Sequence, residues 1–299
     1  MTDQWIEHFA TYLRTSRHYS EQTLSAYMPA LEAFAEFIAP DGGSVDWSMV
    51  SKEDVREWVA AQMEQRLTPA TINKRLSALR SFYRFLMMRK VVKTDPAHTV
   101  NGPKKNKKLP FFVREKEMNR LFDELVFPTD YVGHRDRLIL LIFYSTGIRL
   151  SELVGLNLSS VDFHTSTIKV LGKRDKERIV PFGNELREAI EEYLPLRNSQ
   201  PMAEHSPALF LGQKVPRITH VAVGKIVKQY LSQVTTQQRR SPHVLRHSFA
   251  TAMLNNGAEI EVVRQLMGHE SVATTEIYTH TTFEELKKAY RRAHPRSED

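Results

Sequence analysis

Six residues of this sequence have the functional groups that phosphoryl chemistry needs. They are two arginines, a lysine, two histidines and a tyrosine: Arg149, Lys173, His243, Arg246, His269 and Tyr278. Arginine and histidine donate hydrogen bonds to the non-bridging oxygens of a phosphodiester, and a tyrosine hydroxyl can attack its phosphorus. Each residue alone also fits an ordinary role, such as an ion-pair partner or a helix-end cap. The hypothesis therefore depends on the six as a set.

The sequence excludes several other kinds of catalytic site. A phosphate-binding loop needs a glycine five residues before Gly172, where this chain has Thr167. His243 and His247 have the spacing of a zinc helix, but Val244 stands where a metalloprotease needs glutamate. The chain has no cysteine, which excludes disulfides, thiolate metal sites and cysteine nucleophiles. We therefore expect no metal and no cofactor.

Glycines mark the ends of the elements that must position the six residues. Gly147 predicts the end of one helix and a turn that presents Arg149. Gly268 predicts the end of a later helix, and Tyr278 lies near the end of the helix predicted after it. A turn between two predicted strands contains Lys173. The histidine and arginine of the His-x-Leu-Arg motif are three residues apart and share one face of a helix.

The apolar pattern predicts a mainly helical protein with a small antiparallel sheet, and the length of 299 residues predicts about two domains. Apolar residues at three- and four-residue steps predict an N-terminal four-helix domain over residues 1–92, with helices near 3–15, 20–38, 51–66 and 68–90. An α+β domain is expected over residues 111–299. Its sheet is predicted from the alternating segments 161–163, 167–170 and 178–180, and its last two helices near 271–279 and 282–293.

An excess of basic residues favours a polyanionic partner without requiring one. Lys and Arg number 42 against 35 Asp and Glu, a net charge of +7. Lys74, Arg80 and Arg84 form a basic helix face that could lie against DNA phosphates or simply in solvent. Residues 93–110 contain proline and glycine and predict a linker. Its lysines could follow a nucleic-acid backbone or stay solvated, and they are Lys104, Lys105, Lys107 and Lys108.

No export signal and no membrane span are expected. The first residues include acidic side chains where a secretory signal needs a basic start. The longest apolar run, from Leu138 to Tyr144, is far shorter than the roughly 20 residues that cross a bilayer. We expect a cytoplasmic protein with no membrane partner.

Three motifs together give this sequence a resemblance to a known family. They are Thr-Gly-Ile-Arg-Leu-Ser-Glu-Leu from Thr146, His-Val-Leu-Arg-His from His243, and Gly-His-Glu-Ser from Gly268 with Tyr-Thr-His from Tyr278. In this combination the chain closely resembles the tyrosine recombinase (phage integrase) family. Its size, N-terminal helical domain and Gly-Lys-x-x-Lys-Glu-Arg segment look most like the Xer branch. The resemblance covers essentially the whole chain.

The resemblance implies that the six residues form the active site of a site-specific DNA recombinase. Tyr278 would attack DNA to form a 3′-phosphotyrosyl link, with neither metal nor ATP, and Lys173 would protonate the departing 5′ oxygen. The arginines and histidines would bind the phosphate oxygens. Arg174 and Asp175 depart from the family's usual turn, and Glu270 from its usual small or neutral residue. These departures leave open the reach of the lysine and the environment of the neighbouring histidine.

The resemblance also implies partners. The N-terminal domain would be a SAM-like core-binding domain on double-stranded DNA, and the chain itself or a paralogue would form a tetramer on two recombination sites. The Xer branch implies chromosome dimer resolution at cell division, with a septal DNA translocase as a possible further partner. The segment 282–293 would dock on a neighbouring subunit, or alternatively cover the core of its own chain.

Three alternative functions remain open from the sequence. A mobile-element integrase would use the same residues on a different DNA site. A type IB topoisomerase-like enzyme would use the same chemistry as a monomer to relax supercoils. A non-catalytic DNA-binding accessory factor would need only the basic helix face, but it would leave Tyr278 and both His-Arg motifs unexplained.

Overall fold

The computed structural model of the chain describes residues 3–15, 19, 21–104, 111–172, 176–268 and 280–297. The chain divides into two compact units, Met1–Lys108 and Leu109–Asp299, each with its own apolar core. Helices predominate, and one three-stranded antiparallel sheet lies in the second unit, which confirms the predicted fold class. No helix in the described ranges is long and apolar enough to cross a bilayer.

The N-terminal unit is built from four helices, namely α1 (Gln4–Thr15), α2 (Glu21–Ile38), α3 (Lys52–Glu64) and α4 (Pro69–Met88). Ser51 and Asp54 form a capping box that starts α3. At the start of α4 the Thr68 hydroxyl accepts a hydrogen bond from the backbone N–H of Thr71 (3.2 Å). Pro69 follows at the first helical position, where it has no N–H to leave unpaired. These local signals account for the predicted four-helix bundle.

Aromatic rings fill the core of the N-terminal unit. Trp47 comes from the loop between α2 and α3, and its ring centroid lies 4.8 Å from that of Phe82 on α4. Its indole N–H donates to Asp3 Oδ2 (3.1 Å). Phe34 also stacks on Trp47, with 6.1 Å between centroids, and meets Trp58 edge to face at 4.9 Å. The loop and Asp3 are thereby held against the bundle.

The chain after α4 folds back onto that helix. Arg80 donates from Nε to the carbonyl of Ala97 (3.0 Å) and from Nη2 to that of Val100 (2.5 Å), and Ala97 and Val100 are both buried. Asn73 Nδ2 donates to the carbonyl of Pro103 (2.9 Å). The segment predicted as a linker from residue 93 therefore packs, as far as Pro103, against the N-terminal unit. The structure differs from the prediction here because side chains of α4 satisfy these backbone carbonyls.

The second unit contains eight helices and three strands in its described residues. Two short stretches accompany them, a π-helical turn (Arg120–Glu124) and a 3-10 turn (Leu158–Ser160). In chain order the elements are α5 (Glu115–Asn119), α6 (Tyr131–Thr146), α7 (Leu150–Gly155), β1 (Val161–Asp162), β2 (Thr167–Leu171), β3 (Glu177–Pro181), α8 (Asn184–Asn198), α9 (His220–Val234), α10 (Pro242–Asn255), α11 (Ile260–Met267) and α12 (His280–Ala293). The strands pair in the order β1-β2-β3, with Val170 opposite Arg178. The helix predicted at 271–279 lies outside the described residues.

Helix α6 runs through the core of the second unit. Its residues from Leu138 to Thr146 are all buried. The helix ends at Gly147, whose φ of 59° is in the left-handed region. A Cβ atom at this position would overlap the ring of Phe249 on α10. Glycine is thus required both by the backbone conformation and by the packing of the turn that leads to Arg149.

Helix α12 packs against its own unit. Leu286 and Tyr290 are buried in a cluster with residues of α10 and α11. Beyond the helix, the ring of His294 stacks on Phe249 with 5.7 Å between centroids, and its Nε2 lies 3.0 Å from the carbonyl oxygen of Tyr144. Of the two alternatives for this segment, the structure has the one in which the helix covers the core of its own chain. Its apolar stripe packs against buried apolar residues of α10 and α11.

The surroundings of His294 keep its imidazole neutral. Burial lowers the pKa of His294 to about 4, and the nearby positive charge of Arg296 acts in the same direction, although the hydrogen bond with Tyr144 opposes both. Arg296 is itself held by ion pairs with Asp123 (2.7 Å) and Glu185 (2.8 Å). The folded state therefore binds fewer protons at this histidine than the unfolded chain does.

We expect His294→Gln to reduce the acid sensitivity of the full chain. With the folded pKa below the unfolded one, wild-type stability falls as pH drops below about 6.5, and the loss is about 2 kcal/mol at about pH 5. Glutamine retains an N–H donor for the backbone carbonyl of Tyr144 but has no group that titrates. Urea unfolding at about pH 7.5 and about pH 5 measures the difference, and exposed His205→Gln is the control. An equal loss of stability in wild type and His294→Gln would contradict the expectation.

Candidate active site

Arg149 is the N-cap residue of helix α7 and follows the turn made by Gly147. Its backbone N–H donates to Glu152 Oε2 (2.7 Å), which satisfies one of the free N–H groups at the helix start. Its guanidinium donates from Nη1 to Glu152 Oε1 (2.9 Å) and from Nη2 to the carbonyl of Gly268 (2.7 Å). The side chain is 32% exposed. Arg149 thus reaches from a buried turn to the surface and is accessible to a ligand.

Arg246 lies on helix α10 and is buried. It donates from Nη1 to the carbonyl of Gly147 and from Nη2 to that of Met267 (2.6 Å). Burial lowers the pKa of Arg246 to about 10, and the charges of Arg149 and Arg178 act in the same direction, with a smaller opposing effect from a nearby carboxylate. The guanidinium still carries its charge at neutral pH. Its contacts bring it to the same two segments that position Arg149.

A buried ion pair that our sequence reasoning missed lies beside Arg149. Glu152 on α7 accepts from Arg178 on β3 at both carboxylate oxygens, at 2.5 Å from Nη1 and 2.8 Å from Nη2. Burial by itself raises the pKa of Glu152, but the hydrogen bonds and charge of Arg178, together with hydrogen bonds from Arg149, outweigh it and lower the pKa. Two signals could have found the pair: Glu152 has capping-box spacing after Arg149, and the alternation of β3 turns Arg178 inward.

Three arginines converge on the carboxyl end of α11. The last carbonyl groups of a helix have no partner within the helix and form the negative end of its dipole. Each of the last three carbonyls here accepts a hydrogen bond from a different arginine, and the pairs are Arg178 Nε with Leu266 O (3.2 Å), Arg246 Nη2 with Met267 O (2.6 Å) and Arg149 Nη2 with Gly268 O (2.7 Å). The sequence-predicted arginines are therefore brought together, with Arg178 as a third member.

The close packing at this helix end explains why it finishes in glycine. Gly268 has a φ of 64°, in the left-handed region that glycine tolerates best. A Cβ atom there would lie 3.1 Å from Cδ, Nε and Cζ of Arg178. A larger residue would therefore strain the backbone and press on the guanidinium.

The remaining predicted catalytic residues fall into two groups. His243 lies in the first turn of α10, three residues before Arg246, and its side chain is exposed. The other three lie outside the described residues, and they are Lys173, His269 and Tyr278. The chain on either side of Lys173 is described, and there the N–H of Gly172 donates to the carbonyl of Lys176 (2.8 Å) next to β2 and β3.

The predicted DNA-binding residues also separate into groups. Lys74 and Arg84 on α4 and Lys104 beyond it are exposed. Arg80 is half-buried and donates to backbone carbonyls of its own unit, so its guanidinium has a structural role there. The other three lysines lie outside the described residues, and they are Lys105, Lys107 and Lys108.

The arginine cluster is suited to bind an anion. Three guanidinium groups and one carboxylate lie at the end of α11, so positive charge exceeds negative charge there. Within the described part of the chain, Arg149 and Arg246 each use two hydrogen bonds of the five donors that a guanidinium has. Their remaining N–H groups can donate hydrogen bonds to two oxygens of an anion such as a phosphodiester.

Comparisons with known proteins agree with this interpretation. Residues 112–285 match the phage integrase family, and residues 6–90 match the phage integrase N-terminal SAM-like domain. The tyrosine recombinase XerC of Pediococcus pentosaceus is 39% identical, covering 98% of this chain and 99% of that protein, and the XerC of Chlorobaculum tepidum is 36% identical, covering 98% and 95%.

Solved structures agree on the fold. The XerH recombinase bound to a palindromic difH substrate has a TM-score of 0.72 at 22% identity, covering 96% of this chain and 84% of that one. A lambda integrase dimer bound to a core site has a TM-score of 0.68 at 13% identity, covering 91% and 98%. From the family match over both units and the full-length relatives, we conclude that this chain belongs to the phage integrase family and is a tyrosine-type site-specific DNA recombinase.

Proposed function

We propose that this recombinase resolves chromosome dimers in the cytoplasm at cell division, through a 3′-phosphotyrosyl intermediate on Tyr278. The observation that supports it most is the placement of Arg149 and Arg246 on consecutive carbonyls at the end of α11, immediately before the segment that contains His269 and Tyr278. The chromosomal role is supported by similarity to XerC proteins along almost the entire chain.

The proposed reaction begins with attack on the scissile phosphate. The phenol oxygen of Tyr278 forms a bond to phosphorus while the bond from phosphorus to the 5′ oxygen breaks. The phenol loses its proton to solvent, and Lys173 supplies the proton that the 5′ oxygen takes up as it leaves. The phosphotyrosyl ester retains the energy of the phosphodiester bond. The 5′-hydroxyl of another strand can therefore reverse the step without ATP.

The arginines and histidines lower the barrier for this step. Negative charge accumulates on the non-bridging oxygens in the transition state, where fixed donors stabilise it most. Arg149 and Arg246 contribute planar pairs of donors, and His243 and His269 contribute single ones. Because Glu152 and the α11 carbonyls already hold Arg149 in place, little reorganisation is needed when the phosphate binds.

In the proposed complex the N-terminal unit contributes exposed cations to DNA binding. Lys74 and Arg84 lie on the solvent side of α4. Lys104 and the three lysines that follow within four residues would add further contacts to a phosphate backbone. The assembly we propose is a tetramer on two DNA sites, formed by this chain or with a paralogue, and a septal DNA translocase could activate it. A lambda integrase tetramer bound to a Holliday junction has a related fold, with a TM-score of 0.67.

Tyr278→Phe should bind the recombination site normally and form no covalent complex. The substitution removes only the attacking oxygen. A nicked suicide substrate traps the cleaved state, so wild type should give a protein–DNA band that survives denaturation, and the variant should give none. Tyr131→Phe is the control, because it removes a hydroxyl that donates a hydrogen bond to the carbonyl of Leu211. It should still give the band. A persistent covalent band with Tyr278→Phe would show that another residue is the nucleophile.

Lys74→Ala combined with Arg84→Ala should weaken DNA binding in a salt-dependent way. Each lost phosphate contact reduces the slope of log affinity against log salt by about 1, so the double variant should reduce it by about 2. Arg56→Ala, an exposed arginine of α3 whose side chain is 58% exposed, is the control. Gel-shift titrations over a range of salt concentrations measure the slope. An unchanged slope would show that this face of α4 does not contact the DNA phosphates.

The chromosomal role predicts where the protein acts in the cell. After crosslinking and sequencing, the most strongly bound site should lie near the replication terminus, and loss of the protein should leave unresolved chromosome dimers. A strongest site at the end of a mobile element would instead support the integrase alternative. Relaxation of supercoiled DNA without sequence preference would support the topoisomerase-like alternative.

A further inference from the structure

Arg178 connects the β2–β3 hairpin to two other parts of the active site. Its Nη1 and Nη2 atoms donate to the two oxygens of Glu152, the residue that also accepts from Arg149. Its Nε donates to the carbonyl of Leu266 in the last turn of α11 (3.2 Å). The side chain is 9% exposed. A single guanidinium therefore joins a strand, the start of α7 and the end of α11.

Arg178 lies close to the connection between the two strands. That connection runs from Gly172 to Lys176 and contains Lys173. The antiparallel ladder pairs Val170 with Arg178, and beyond it the N–H of Gly172 donates to the carbonyl of Lys176 (2.8 Å). In an antiparallel pair, backbone hydrogen bonds tie each strand to the strand beside it, so the two strands move together. Fixing Arg178 therefore also fixes the base of the connection.

We propose that Arg178 is a positioning residue for strand cleavage, which holds the β2–β3 hairpin against Glu152 and α11 so that Lys173 can protonate the 5′ leaving oxygen. This inference rests on the proposed function, in which Lys173 is the general acid. Arg178 itself touches neither the phosphate nor the leaving group in this scheme. Arg178 affects the cleavage rate only by holding the hairpin in position.

The contacts require an arginine in particular. A guanidinium is a planar fork whose two ends match the two oxygens of a carboxylate, and its Nε adds a third donor in a fixed direction. A lysine at the same place would retain the positive charge beside Glu152 but could not hold both oxygens and the Leu266 carbonyl in one plane. Arg178→Lys therefore retains the positive charge beside Glu152 and removes the oriented set of donors.

A substrate with sulfur in place of the bridging 5′ oxygen tests this proposal directly. A thiolate leaves without being protonated, so cleavage of this substrate does not need a general acid. Arg178→Lys should cleave the normal substrate about 100-fold more slowly than wild type, the lower end of the usual contribution of a general acid. It should cleave the sulfur substrate at close to the wild-type rate. Single-turnover cleavage rates of the full-length protein give both values.

Two further variants define the comparison. Lys173→Ala should show the same rescue by sulfur, because it removes the proposed acid itself. Arg197→Lys is the matched control, since Arg197 is buried and donates to the carbonyl of Ala208 (2.9 Å) on another part of the unit. It should cleave both substrates at the wild-type rate. If Arg178→Lys loses its far-UV circular dichroism spectrum, Arg178→Gln replaces it, because glutamine still donates to Glu152.

The outcomes separate this proposal from the one on which it rests. If sulfur fails to rescue Lys173→Ala, the general-acid role of Lys173 is wrong. If sulfur rescues Lys173→Ala but Arg178→Lys is slow on both substrates, Arg178 acts on the phosphate-binding groups and the hairpin proposal is overturned. Wild-type rates for Arg178→Lys on both substrates would also overturn it.

Discussion

The active site of the second unit depends on the hydrogen bonds that the Glu152 carboxylate accepts. This carboxylate accepts four hydrogen bonds, two from Arg149 and two from Arg178, and it lies almost completely inside the protein. Three guanidinium groups at one helix end repel each other, and the carboxylate and the helix carbonyls offset that repulsion. The desolvation of a buried ion pair cancels much of its attraction, so its main contribution is to fixed geometry. A phosphate therefore meets arginines that are already aligned.

The positions of the two predicted arginines followed from local sequence signals. Gly147 ends α6 in the left-handed conformation, and Arg149 follows at the start of the next helix, as the motif predicted. The ion pair of Glu152 with Arg178 joins residues 26 positions apart, and only the packing of the sheet against α7 brings them together. Periodicity describes which face of an element is buried, but not which polar partner is found there. The supporting residues of the site were therefore harder to predict than the exposed ones.

The same limit applies to helix α4. Arg80 and Arg84 are four residues apart and looked equivalent as members of one basic face. In the structure Arg84 is exposed, whereas Arg80 donates to carbonyls 17 and 20 residues further along the chain. Those acceptors lie in a segment whose proline, glycine and lysine content is typical of a linker. Its first part packs on α4 because Arg80 and Asn73 supply donors for its backbone carbonyls, and the composition of the segment does not show this.

The packing around Gly147 has a consequence for how this sequence can vary. The ring of Phe249 occupies the space that a side chain at Gly147 would need, and its other contacts include the imidazole of His294. Residues in such direct contact have effects on stability that do not add. A smaller residue at position 249 would leave a cavity in the native protein yet relieve the overlap with a side chain at position 147, so that only the left-handed backbone would still disfavour that side chain. The three positions, although far apart in the chain, thus form one epistatic group in which the effect of each substitution depends on the other two.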